Sequence, residues 1–250
     1  MAAKVHIGTM GWSYDFWAGS FYPKDLASEN YLSEYAKHFD TVELDNTFYR
    51  IPKKETVANW RDQTPTDFVF SVKFPRRITH EKMLKDCEEI VRVFLERMSL
   101  LQDKLGPLLL QFPYAFKIEH VDLLKDFLSA LPKTHSFVVE VRNKKLLNEG
   151  FYSLLRENKT AFALVEQPFM PSTEAMTSDL VYVRLEGDRR KVNGTLGKVE
   201  IDRTDDTKKW AEKIRKFLDA ETEVFVYFSK FYSGYPPTDA KQLAALLSES

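Results

Sequence analysis

Charged residues occur at the ends of apolar segments at several points along the chain. Glu43 lies in TVEL, Glu140 in FVVE and Arg184 in VYVRL. Carboxylates are suited to acid–base chemistry, and guanidinium groups are suited to binding phosphate or carboxylate. An isolated charge in an apolar interior costs several kcal/mol, roughly, unless it is paired or solvated in a cleft. These residues therefore belong either to a functional cleft or to a set of structural ion pairs.

We expect Glu43, Glu140 and His80 to be the catalytic residues. The expected substrate-binding residues are the other polar and aromatic side chains near strand ends: Trp12, Tyr14, Asn46, Tyr49, Lys73, Arg76, Gln111, Arg142, Arg184, Glu186 and Tyr227. Six aromatic residues fall between positions 12 and 22. They could form a stacking wall at the cavity for a planar or sugar-like ligand, or an apolar plug at one end of the fold.

Glu140 and Arg142 are two positions apart, so on an extended strand their side chains point to the same side. They could neutralise each other, and Glu43 with Lys73 or Glu140 with Arg184 could do the same. We expect Lys73 and Arg184 to leave an excess of positive charge that an anion fills. On that view Glu140→Gln keeps the fold and abolishes turnover, whereas a large loss of stability would make Glu140 structural.

Short β-rich segments alternate with helical patterns along the whole chain. The predicted strands are Val5–Met10, Thr41–Leu44, Phe68–Phe74, Pro107–Phe112, Phe137–Val141, Ala161–Val165, Leu180–Leu185 and Val224–Phe228. Most are almost entirely apolar, which is typical of strands covered on both faces in a parallel sheet. The pattern predicts a single (β/α)8 TIM-like barrel domain over residues 1–250, with a doubly wound open sheet as the alternative. Active sites of such barrels lie where the strands end.

Three segments carry more specific expectations. The apolar spacing over 81–98 predicts a helix that buries Cys87 on its apolar face. The sixth crossover, 167–179, contains two prolines and predicts a loop. Asn193-Gly194 within 187–203 predicts a short hairpin after the seventh strand.

Composition excludes several classes of protein. The net charge is −1, so binding to nucleic acid or to a membrane surface has no global electrostatic support, and nucleic acid would need a local basic patch. One cysteine and scattered histidines argue against zinc, and any metal would be Mg²⁺ or Mn²⁺ on Glu43, Glu140 and Glu186. No glycine-rich nucleotide-cofactor motif is present. No apolar run reaches the roughly 18 residues of a membrane span, so we expect a cytoplasmic protein.

Several motifs together resemble the uncharacterised YecE-like family. They are GTMGWSYDFWAGSFYP, FDTVELDNTFYRIP, FVFSVKFPRRITH, LGPLLLQFPYAF, FVVEVR and VYVRLEGDRR, and they cover nearly the whole chain in order. The resemblance implies a TIM barrel but no reaction. Many members carry His-Gly where this chain has Glu186-Gly187, and Asn-Asn where it has Ser229-Lys230. Roles of those family residues therefore do not transfer.

The function that these residues predict is an enzyme of hydrolase or lyase type, acting on a small anionic substrate that is phosphorylated or derived from nucleic acid. Glycoside hydrolysis by two carboxylates is one alternative, although neutral sugars need no arginines or lysines. A non-catalytic barrel that binds an anion is another. The number of copies in the assembly is not predicted.

Overall fold

The computed structural model describes residues 4–249. Eight parallel strands form a closed barrel in chain order, and β1 pairs with β8 to complete it. The strands are β1 (Val5–Met10), β2 (Thr41–Leu44), β3 (Val69–Lys73), β4 (Leu105–Gln111), β5 (Phe137–Glu140), β6 (Ala161–Glu166), β7 (Leu180–Leu185) and β8 (Glu223–Phe228). The predicted (β/α)8 architecture is confirmed.

In the described residues, 4–249, seven α-helices surround the strands. They are α1 (Tyr31–Tyr35), α2 (Lys54–Asp62), α3 (Glu88–Met98), α4 (Val121–Ala130), α5 (Glu149–Glu157), α6 (Thr204–Asp219) and α7 (Pro236–Ser248). The crossover from β6 to β7 contains no helix, as predicted. None of the helices in the described part of the chain is long and apolar enough to cross a membrane.

The helix predicted over 81–98 is wrong at its start, because α3 begins at Glu88. Met83, Leu84 and Asp86 have positive φ angles of 47°, 72° and 45°, which a right-handed helix does not allow. Cys87 directly precedes α3 and is buried, with its thiol donating to the carbonyl of Leu84 over 3.2 Å.

The predicted hairpin in 187–203 is also wrong, since this segment contains no strand. The backbone N–H groups of Asn193 and Gly194 donate to the carboxylate of Glu200 at 2.9 and 2.7 Å. The N–H of Glu200 in turn donates to the carbonyl of Ser233. The tight turn therefore anchors the loop after β7 to the loop after β8.

Two apolar layers arise because neighbouring strand residues face opposite sides. The larger layer packs strands against helices, and the smaller one includes Met10, Leu109, Tyr182 and Tyr227. Polar groups accompany the smaller layer: the Tyr227 hydroxyl lies 2.6 Å from Thr41 Oγ1 and 2.7 Å from Ser71 Oγ. Tyr227, which the sequence predicted to bind substrate, is thus fully buried.

Candidate active site at the mouth of the barrel

Three strands end in a pair of charged residues two positions apart. The pairs are Glu43 on β2 with Asp45 after it, Glu140 on β5 with Arg142 after it, and Arg184 on β7 with Glu186 after it. The two members of each pair point to the same side of their strand. The first member is buried in every pair, and the second is half-buried and nearer to the mouth. The six residues therefore form a deep layer and an outer layer of charge.

Arg184 is the centre of the deep layer. Its Nε and Nη2 donate to the two carboxylate oxygens of Glu43 at 2.9 and 2.7 Å. Its Nη1 donates to Glu140 Oε2 and Glu186 Oε1, each at 2.6 Å. Burial opposes the charge of Arg184, but these carboxylates raise its pKa well above the ordinary value. Arg184 joins three strand ends that are distant in sequence.

Glu43 is held on both oxygens. Tyr182 donates its hydroxyl to Glu43 Oε2 at 2.8 Å, beside the bond from Arg184. Burial raises the pKa of Glu43 to about 7, against the opposing charge of Arg184. The deep layer has two carboxylates, Glu43 and Glu140, for the one guanidinium of Arg184.

Arg142 links the two layers. Its Nε lies 2.5 Å from Glu140 Oε1, and its Nη2 donates to Glu186 Oε1 at 2.7 Å. It also bonds to the side chain of Gln167. Burial alone would raise the pKa of Glu186, but the charges of Arg184 and Arg142 lower it to about 2. Glu140 and Glu186 are therefore both ion-pair partners of two arginines.

These contacts bear on two expectations. Arg184 does not contribute an excess of positive charge, because four carboxylates surround it: Glu43, Asp45, Glu140 and Glu186. The carboxylates expected to bind Mg²⁺ or Mn²⁺ direct oxygens at arginines instead. Across residues 4–249, no group of three histidine, cysteine or acidic side chains is arranged to hold a metal ion.

A cavity of about 850 Å³ opens above the outer layer. Seven of the predicted site residues line it: Tyr49, Lys73, His80, Gln111, Arg142, Arg184 and Glu186. Glu43 and Glu140 do not line it, because they are fully buried and hydrogen-bonded to the Arg184 side chain. The structure thus places cations and polar groups at the cavity surface and two of the expected catalytic carboxylates outside its lining.

Trp12 and Tyr14, expected at the cavity wall, do not line it. Trp12 packs edge-on against Trp60 at 5.8 Å, and Tyr14 donates its hydroxyl to the carbonyl of Met10 at 2.7 Å. Tyr14 also contacts Trp17, which is fully buried. The aromatic segment is therefore an apolar cluster, because its rings pack on one another.

Asn46 and Arg76 also lie outside the cavity lining. Both are exposed, and Arg76 pairs with Glu81 at 3.5 Å. Sequence reasoning missed Asp45, although its spacing from Glu43 repeats that of Glu140 and Arg142. The other missed lining residues are Met10, the last residue of β1, and a set that comes mostly from irregular loops, whose position no periodicity predicts: Phe48, Tyr114, Gln167, Pro168, Phe169, Gly187, Asp188, Arg189, Arg190, Ser229 and Phe231.

Lys73, Asp45 and His80 form one side of the cavity around the ring of Phe48. Lys73 Nζ lies 4.4 Å from the centre of that ring and 3.7 Å from Asp45 Oδ1. Asp45 Oδ1 is itself buried and accepts no hydrogen bond from residues 4–249. Burial and the charges of Lys73 and other nearby cations lower the pKa of His80 to about 4, so its imidazole is neutral at neutral pH.

A closed parallel barrel with its polar groups gathered at the carboxyl ends of the strands defines a TIM-type (β/α)8 protein. The chain belongs to the family described as protein of unknown function DUF72, whose model matches residues 6–250. The resemblance seen in the sequence is confirmed.

Relatives with curated sequences carry only family-level names. UPF0759 protein YecE of Escherichia coli (strain K12) is 38% identical over 146 residues, which are 58% of this chain and 51% of that protein. The match to this relative thus spans about half of its length. UPF0759 protein YunF of Bacillus subtilis (strain 168) is 26% identical over 274 residues, covering 97% of this chain and 94% of that protein.

Two solved structures share the fold over almost the entire chain. A DUF72 family protein from Thermotoga maritima has a TM-score of 0.83 at 27% identity, covering 98% of this chain and 99% of that one. A DUF72 family protein from Enterococcus faecalis V583 has a TM-score of 0.80 at 26% identity, covering 99% and 96%. These likenesses support the barrel and name no reaction.

Proposed function

We propose that the protein is an enzyme of hydrolase or lyase type that acts on an anionic, phosphorylated substrate at the mouth of the barrel. The charge of the cavity surface carries this proposal. Five cationic and three acidic side chains line the cavity: Lys73, Arg142, Arg184, Arg189 and Arg190, with Asp45, Glu186 and Asp188. The remaining carboxylates, Glu43 and Glu140, are fully buried and outside the lining. Because Arg142, Arg184 and Arg190 are already paired with carboxylates, Lys73 and Arg189 are the cations that make the cavity surface suited to an anion.

Lys73 and Arg189 are the cations with most capacity for a ligand. The nearest carboxylate to Lys73 is Asp45 at 3.7 Å, longer than a hydrogen bond. Arg189 is exposed and has no ion pair among the described residues, whereas Arg190 pairs with Asp188 at 2.8 Å. An anion would add charge-assisted hydrogen bonds to these two side chains without breaking existing ones.

His80 and Asp45 are the proposed acid–base residues. The Nδ1 of His80 lies 2.9 Å from Thr79 Oγ1, which orients the ring. A neutral imidazole can polarise a reacting oxygen or exchange a proton with it. Asp45 has a carboxylate oxygen with no hydrogen-bond donor, so it is suited to accept a proton from substrate or water. Glu43 and Glu140 then act through Arg184 as positioning residues.

Titration calorimetry with inorganic phosphate tests the binding half of this proposal. We expect Lys73→Met to weaken phosphate binding roughly 10-fold or more, because it removes a charge-assisted contact. Lys125→Met is the matched control, since Lys125 is exposed on α4 and does not line the cavity. No binding at concentrations on the order of tens of millimolar, or equal loss in both variants, would reject the anion site.

Turnover is tested with a panel of phosphate mono- and diesters. We expect at least one ester to be cleaved, with Asp45→Asn and His80→Gln each slowing cleavage roughly 100-fold or more while leaving phosphate affinity within a few fold. Binding of phosphate esters without any cleavage would identify a non-catalytic binding barrel instead.

A further inference from the structure

Exposed aromatic rings surround the mouth of the barrel. Tyr49 is 79% exposed, and Tyr114 and Phe169 are each 70% exposed. They follow β2, β4 and β6, and Phe231, which is half-exposed, follows β8. All four line the cavity. The loop after each even-numbered strand thus places an aromatic ring beside the same opening.

Little of the protein covers these rings. Within residues 4–249, the one ring that Tyr49 contacts is the edge of Phe48, at 5.2 Å, and Tyr114 contacts no other ring. The guanidinium carbon of Arg190 lies 4.5 Å from the centre of the Phe169 ring. Large aromatic side chains are usually buried, and a group of exposed aromatic side chains around an opening indicates a ligand-binding surface.

Cations accompany the rings. Arg190 stacks on Phe169, Arg189 is its neighbour in sequence, and Lys73 lies over Phe48 beside Tyr49. A neutral sugar or an apolar peptide would use the rings but would add no charged partner to Lys73 or Arg189. A ligand that combines a planar ring with a phosphate matches both features, because bases stack on aromatic side chains and phosphates bind arginine or lysine.

The strand order indicates which rings are best placed. Strands β4, β5 and β6 are neighbours in the barrel, so the loops bearing Tyr114 and Phe169 flank Arg142 at the end of β5. Arg142 also bonds to Gln167, two residues before Phe169. A phosphate near Arg142 would therefore have an exposed ring on either side.

We propose that the substrate of this site is a nucleotide unit whose base stacks on Tyr114 or Phe169 while its phosphate lies among Lys73, Arg142 and Arg189. This inference rests on the proposed phosphate-binding function and adds the base. A free mononucleotide and the end of a single-stranded chain share this chemistry.

The experiment compares four probes on the full chain by titration calorimetry: inorganic phosphate, ribose 5-phosphate, adenosine 5′-monophosphate and a short single-stranded oligonucleotide. We expect the mononucleotide or the oligonucleotide to bind roughly 10-fold or more tightly than ribose 5-phosphate, which differs from the mononucleotide only in lacking the base. Tyr114→Ala combined with Phe169→Ala should remove that difference and leave the affinity for inorganic phosphate unchanged. Ile118→Ala, at a 62% exposed residue that does not line the cavity, should change none of the four affinities.

Equal affinities for ribose 5-phosphate and both nucleotide probes would overturn the inference, and so would a base-dependent difference that survives the double substitution. In either case, phosphate binding that still depends on Lys73 would leave the proposed function standing. Tighter binding of the oligonucleotide than of the mononucleotide identifies a single-stranded chain as the source, and equal binding identifies a free nucleotide.

Discussion

Glu140 contacts two guanidinium groups and no solvent. Its carboxylate lies 2.6 Å from Arg184 Nη1 and 2.5 Å from Arg142 Nε, and the residue is fully buried. Removing one partner of a buried ion pair leaves an uncompensated charge. These contacts favour the structural alternative over the catalytic role expected from the sequence.

We therefore expect Glu140→Gln to lower the free energy of unfolding by about 3–5 kcal/mol, measured by urea denaturation. Glu157→Gln, at the exposed end of α5, is the control and should change it by less than about 0.5 kcal/mol. Unchanged stability together with lost turnover would return Glu140 to the catalytic set.

His80 reports on the charge of the cavity. Its pKa is lowered to about 4 by burial and by Lys73, Arg76 and Arg142. Sulfate bound beside these cations would offset their effect and raise the pKa of His80 toward the ordinary 6.5. Proton uptake is then linked to binding, so sulfate affinity should increase as the pH falls from about 6.5 toward 4.

The measurement is an NMR titration of the histidine side chains with and without sulfate, whose own charge does not change in this range. His135 is an internal control, because burial alone lowers its pKa and it does not line the cavity. If sulfate does not change the pKa of His80 in this titration, the result contradicts an anion site beside His80.

At the scale of elements, the closure of the barrel between β1 and β8 includes a buried histidine. His6 on β1 stacks on Phe225 of β8 at 4.5 Å. Its Nδ1 lies 3.0 Å from Asp40, which precedes β2, and its Nε2 lies 3.4 Å from Glu223. Burial by itself lowers the pKa of His6, but Asp40 and Glu223 together raise it above the ordinary 6.5.

Because the folded-state pKa of His6 is above its unfolded value, protonated His6 stabilises the folded state. This stabilisation is fully present below about pH 6.5 and is lost as the pH rises through the folded-state pKa. We expect the difference in melting temperature between the native chain and His6→Gln to be largest below that pH and to shrink at higher pH. His135→Gln should show no such decrease, because the pKa of His135 is lowered. A difference that is independent of pH would show that His6 acts through packing alone.

The strands, helices and loops differ in how accurately the sequence predicted their bounds. β1, β2 and β7 match their predicted bounds, because a buried parallel strand is a short apolar run that local sequence reveals. The predicted start of α3 was wrong because the spacing of apolar residues does not reveal the left-handed backbone at Met83 and Leu84. The hairpin predicted after β7 was wrong because the turn there is stabilised by hydrogen bonds to Glu200 rather than by strand pairing.

At the scale of the whole molecule, every strand is paired on both sides, so no element of the barrel ends at a free edge. We expect one cooperative unfolding transition in calorimetry, with equal calorimetric and van't Hoff enthalpies. At about 0.7 kcal/mol per residue, the enthalpy near 60 °C should be about 175 kcal/mol. Two separated transitions would contradict the prediction of a single domain over residues 1–250.

The sequence by itself determined that eight apolar strands alternate with helical segments and that charged residues follow several strands, because both depend on local patterns, but it left an open sheet as the alternative to the closed barrel. Only the tertiary structure decided which charges meet. Arg184 on β7 binds Glu43 on β2, and these strands are not neighbours in the barrel. Contacts across a closed barrel depend on the stagger of the strands and the reach of side chains, and no periodicity along the chain encodes them.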